Sequence, residues 1–128
     1  MVAVDTNVVV RLIVRDNERQ AVAAERVVQQ GAWLSALGLA ETVWVLSTTY
    51  DFGPSELARA IEMLLENPLL IIEQSGAVER ALASFRRRPR LRFTDCLMLE
   101  LARQAAVLPL ATFDRDLAKL EDVDLIIS

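Results

Sequence analysis

The chain has 128 residues (14.3 kDa) and is 53% hydrophobic and 25% charged, which fits one globular domain and excludes disorder as a description of the whole chain. Its formal charge is −4, and it contains no His, one Lys (Lys119) and one Cys (Cys96). Those absences exclude Ser-His-Asp triads, His metal sites, a P-loop lysine, an internal disulfide and a thiolate zinc site. Carboxylate, hydroxyl and guanidinium chemistry remain.

Along the chain, short apolar segments alternate with longer helical patterns. Val2–Val4 reads as a strand, followed by a helix over Thr6–Val14. Asp16 or Asn17 caps a second helix, Glu18–Gln30, which Gly31 ends. Ala32–Leu34 is a second strand, and Ser35 caps a helix running to about Tyr50. Beyond the breaker Gly53-Pro54-Ser55, Leu57, Ile61, Leu64 and Leu65 recur at helical spacing until Asn67-Pro68. Leu69–Ile72 is a buried-type strand, Ser75–Arg88 a helix, and Thr94 to about Ala106 another. Leu110–Thr112 is a strand, Asp114–Leu120 a short helix, and Leu125–Ile127 a last strand. The alternation predicts a single α/β domain over residues 1–128, a sandwich whose short-stranded, mostly parallel central sheet is flanked by helices.

No apolar run exceeds four residues, and Asp5 interrupts the apolar N-terminus. Neither a membrane span nor a signal peptide is expected, which makes a cytoplasmic protein the default. The negative charge is unevenly spread. Arg86, Arg87, Arg88, Arg90 and Arg92 fall within seven residues, and setting those five aside takes the rest of the chain from −4 to −9. They suit a solvated helix end and a contact with a phosphate-bearing partner equally well.

The acids carry the chemistry. Ligands of open parallel sheets bind beyond the carboxyl ends of the strands, where Asp5 and Asp114 fall, and Asp95 opens a helix. Helix capping explains each of these singly just as well. Glu41 has Leu37, Gly38, Trp44 and Val45 as helical neighbours, an apolar face on which a carboxylate needs Arg11, the solvent rim or a cation. If the four acids meet, charges about 4 Å apart repel by about 4 kcal/mol at an effective dielectric of about 20. They then either protonate or hold a divalent ion, and with oxygen donors alone that ion is Mg²⁺ or Mn²⁺. Such an ion activates water and steadies charge on a phosphoryl oxygen, which points to phosphodiester hydrolysis.

Four segments taken in order resemble a known family: Asp5-Thr6-Asn7, Glu41 within Leu39–Val43, Phe93-Thr94-Asp95, and Thr112-Phe113-Asp114-Arg115-Asp116. Together they resemble the PIN domain, and more closely the VapC-type toxins of bacterial toxin–antitoxin pairs. The resemblance implies a PIN-like three-layer fold and a Mg²⁺-dependent endoribonuclease acting as a toxin. It implies metal binding at Asp5 and Asp95, with Glu41 and Asp114 completing the catalytic set. RNA, a protein antitoxin and a second copy of the chain are the implied partners. Asn7 and Thr112 match supporting hydrogen-bonders, with plain turn or cap roles as the alternative, and Asp116 either extends the pocket or starts the short helix. Two departures stand out: the arginine-rich approach to Asp95, and Thr94 where a small residue is common.

Two other functions compete. Phosphotransfer through Asp5, as in haloacid-dehalogenase-like enzymes, wants a second Asp where Asn7 stands and a lysine, for which Lys119 is the one candidate. A catalytically silent PIN-like binding module has no need to keep four acids. Cys96, Trp33 and Trp44 read as core or interface residues, and Arg11 and Arg15 as solvated.

Overall fold

A computed structural model describes residues 1–127. The order of elements is β1 (Val2–Val4), α1 (Thr6–Val14), α2 (Glu18–Gln29), β2 (Ala32–Leu34), α3 (Ala36–Thr48), α4 (Pro54–Glu66), β3 (Leu70–Ile72), α5 (Ser75–Arg87), α6 (Phe93–Gln104), β4 (Leu110–Thr112) and β5 (Val123–Leu125), with a 3-10 turn at Leu117–Lys119. The chain forms two compact units, Met1–Ser75 and the part from Gly76 onward.

The first unit holds a parallel sheet of order β1-β2-β3. Each crossover carries two helices, the kind of connection that parallel neighbours require. Central β2 is the most enclosed strand, with Ala32 and Leu34 fully buried, while edge strand β1 leaves Val2 and Ala3 exposed. Val4, Leu34 and Ile72 are in register. The residues that follow them, Asp5, Ser35 and Glu73, therefore line one carboxyl edge. Three of this unit's helices start where short polar side chains cap them: the Asp5 carboxylate accepts from Val8 N, Asn17 from Gln20 N and Ser35 from Gly38 N.

Gly38 sits in the first turn of α3, and a Cβ there would lie 2.8 Å from Leu34 Cδ1 and 3.2 Å from Ser35 Oγ. Leu34 is fully buried and cannot retreat. Gly38→Ala is expected to lower stability by about 1–2 kcal/mol, because overpacking outweighs the gain in helix propensity of about 1 kcal/mol. Urea denaturation measures it, and an unchanged or raised midpoint would show that the strand-to-helix corner has slack.

The second unit pairs β4 with β5 in parallel, and α6 begins where Phe93 meets Phe85 edge-to-face at 6.0 Å. Phe93 is buried there, and so is Cys96, as expected from its core reading. Several boundaries differ from the sequence reading; α2, α3 and α5 end, and β3 begins, one or two residues away from it. The last strand is Val123–Leu125, not Leu125–Ile127, because it pairs from Leu110 outward and Ile126 N already bonds back to the Thr112 carbonyl. The helix expected over Asp114–Leu120 is only the 3-10 turn. α6 begins one residue earlier and ends two residues earlier than expected. The α/β class and the parallel pairing are as expected. Among the described residues no helix is long and apolar enough to cross a membrane.

Candidate functional site

In the first unit Asp5 is the N-cap of α1, exposed, with its Oδ1 3.3 Å from Val8 N. The next residue, Thr6, donates from Oγ1 to Glu41 Oε2 at 2.8 Å, so α1 and α3 are tied together beside Asp5. Sequence reasoning offered Asn7 a supporting hydrogen bond or a plain turn or cap role and did not single out Thr6; Asn7 lines a concavity between α1 and α2.

Glu41 is exposed, so of the three ways of satisfying a carboxylate on that face the structure shows the solvent rim. α3 is apolar on nearly every side, and two of the neighbours used in that argument, Leu37 (71% exposed) and Trp44 (65%), face solvent. Trp44 is accordingly not a core residue. Arg11 does not pair with Glu41 either, since its guanidinium meets Asp16 at 2.7 Å and the Tyr50 hydroxyl. Arg15 is bound to Glu25 and Glu18.

Glu73 was missed by sequence reasoning. It follows β3 directly, is half-buried, and accepts the Ala36 N–H at 2.9 Å, which fixes the start of the helix that carries Glu41. The strand-end rule that singled out Asp5 applies equally to this position.

In the second unit Asp95 lies in the first turn of α6, where negative charge favours the helix dipole. Arg92, not Asp95, is the N-cap. Burial pushes the Asp95 carboxyl above its ordinary value, Arg92 pulls it down, and the charge of Asp114 pushes it up again. Asp114 itself accepts from Asp116 N at 2.8 Å and Leu117 N at 3.2 Å, so it starts the 3-10 turn, and Thr112 Oγ1 holds Asp114 N at 3.0 Å. Asp116 pairs with Lys119 at 3.3 Å, which engages the lysine that phosphotransfer would need.

A family model for the PIN domain matches residues 2–123. The chain belongs to the PIN domain family. No curated protein matches this PIN chain. Among solved structures, VapC20 of Mycobacterium tuberculosis, a sarcin–ricin loop cleaving toxin, is 18% identical over 96% of this chain and 97% of its own, with a TM-score of 0.44.

Among the described residues of this PIN domain no three His, Cys, Asp or Glu side chains form a ready cage for a metal ion. Mg²⁺ does not require one: it takes one or two carboxylates and completes its shell with water and substrate phosphate. Asp95 and Asp114, like charges within electrostatic reach of one another, offer hard oxygen donors of that kind. The donor set fits a hard divalent cation and not a soft one.

Proposed function

We propose that this PIN domain is a Mg²⁺- or Mn²⁺-dependent endoribonuclease, the toxin of a toxin–antitoxin pair. In this reading Asp5 and Asp95 bind the metal, and Glu41 and Asp114 complete the catalytic set. The observation that carries the reading is Asp95, a carboxyl that burial drives toward protonation, against the pull of Arg92 and with the help of the Asp114 charge. A group in that setting gains from a nearby cation when it is ionised. The ion would lower the pKa of a water and neutralise charge on the phosphoryl oxygen. The chain's own part is positional: Asp5 is set by the first turn of α1, Glu41 by the Thr6 hydroxyl, and Asp114 by two backbone N–H groups. A protein antitoxin and a homodimer complete the proposal, and exposed Leu37 and Trp44 on α3 offer apolar surface for either contact.

The test is cleavage of end-labelled single-stranded RNA by the purified chain. Fragments are expected with Mg²⁺ or Mn²⁺ and none in EDTA. Asp5→Asn and Glu41→Gln should each lose cleavage with an unchanged thermal midpoint. Cutting that persists in EDTA, or an Asp5→Asn variant as active as the parent, overturns the reading. Mn²⁺ alone should raise the parent's midpoint, by binding linkage.

A further inference from the structure

The second unit contains a cationic surface that the catalytic reading does not use. α5 ends at Arg87, and Leu91 N donates to the Arg88 carbonyl at 3.0 Å, closing a turn with Pro89 in its second position. Pro89 fixes the backbone of that turn, and buried Leu91 anchors it. Arg88 and Arg90 are therefore displayed on a rigid corner and not on a loose loop.

Two concavities of about 280 Å³ each open here. Arg87, Arg88 and Lys119 are common to both; one adds Arg90 and Asp116, the other Arg103 and Glu121. Asp116 is occupied by Lys119, and Arg103 is bound to Glu100 and Asp122. Among the described residues no carboxylate pairs with Arg87, Arg88 or Arg90. Three guanidiniums held close together without a counter-ion repel one another, and an anion relieves that repulsion. The concavities are smaller than the roughly 300–1,000 Å³ in which organic ligands are enclosed, and charge dominates their walls. Two anion seats sharing a wall fit a chain that carries a charge on every unit, and guanidiniums bind phosphate in a bidentate fashion.

We propose that Arg87, Arg88, Arg90 and Lys119 form a subsite that holds successive phosphates of single-stranded RNA. The proposal rests on RNA being the substrate, but binding tests it without cleavage. The probe is a fluorescent 2′-O-methyl RNA oligonucleotide, which resists hydrolysis, titrated in EDTA across a salt series. With three to five phosphate contacts, log affinity should fall with log salt at a slope of about 2 to 3.5. Arg87→Gln/Arg88→Gln/Arg90→Gln should flatten the slope by about 2 and weaken binding roughly tenfold or more near 0.1 M salt. Arg19→Gln/Arg26→Gln/Arg59→Gln, an equal charge loss on exposed helix positions of the first unit, should change affinity less than about twofold. Matching losses from both variants would overturn the subsite in favour of net charge alone. No measurable binding by the parent, or a poly-glutamate peptide that competes as well as the RNA does, also overturns it. EDTA-insensitive cleavage would count against the metal reading and leave this binding result standing.

Discussion

Replacing Asp95 with Asn is expected to cut RNA cleavage by about a hundredfold or more without destabilising the fold. Loss of a group that merely orients a metal ligand already costs about 10- to 100-fold, and a ligand costs more. The stability side separates a binding role from a structural one. In the folded protein, burial and the Asp114 charge make the Asp95 carboxyl hold its proton more tightly than in the unfolded chain, against the opposing pull of Arg92. The folded state then binds more protons than the unfolded state between the ordinary value of 3.8 and the raised one. Stability from this group falls as pH climbs through that window, and the full cost is present above it. Asn carries no such cost. Urea unfolding of parent and variant should therefore coincide at the acid end, with the variant gaining relative to the parent as pH rises. A variant that instead loses ground on going from acid to neutral pH would mean the Asp95 charge stabilises the fold, which contradicts the role given to it.

A second large effect is expected at Glu100, a charged side chain only 4% exposed. Its Oε2 meets Arg103 Nη1 at 3.0 Å and its Oε1 meets Arg80 Nε at 3.5 Å. Arg103 in turn bonds Asp122 Oδ2 at 3.1 Å and the Glu121 carbonyl at 2.9 Å, pinning the turn that leads into β5. Breaking a buried pair by removing one partner costs about 3–5 kcal/mol. Arg80 and Arg103 are partly solvated, 54% and 32% exposed, so neither is stranded and the loss is smaller. Glu100→Ala should lower unfolding free energy by about 2–3 kcal/mol, and Glu100→Gln, which keeps hydrogen-bonding capacity, by about half as much. Cleavage measured well below the unfolding transition should stay near the parent's. A loss below about 0.5 kcal/mol for Glu100→Ala would show that Arg103 and Asp122 hold the turn without it.

Local chemistry was legible in the sequence wherever one segment decides its own conformation. The helix starts at Thr6, after Asn17 and after Ser35 follow from a capping side chain and the apolar period behind it. β1, β2 and β4 were placed by short apolar runs between breakers, and the four-segment order pointed to the family that the match over residues 2–123 establishes. The last strand was displaced because Leu125-Ile126-Ile127 is the more apolar run, whereas hydrogen bonding to β4 selects Val123–Leu125.

What the chain alone determined is the α/β class and the capped starts of α1, α2 and α3, since each depends on neighbours in sequence. The tertiary structure decided which face of α3 meets water, and so left Glu41 exposed and tied to Thr6. It also decided that Glu73 caps α3 from 37 residues away, and that Lys119 joins arginines some thirty residues earlier. Burial and pairing of this kind depend on which distant segment packs against a side chain, and no periodicity within a helix or strand encodes that.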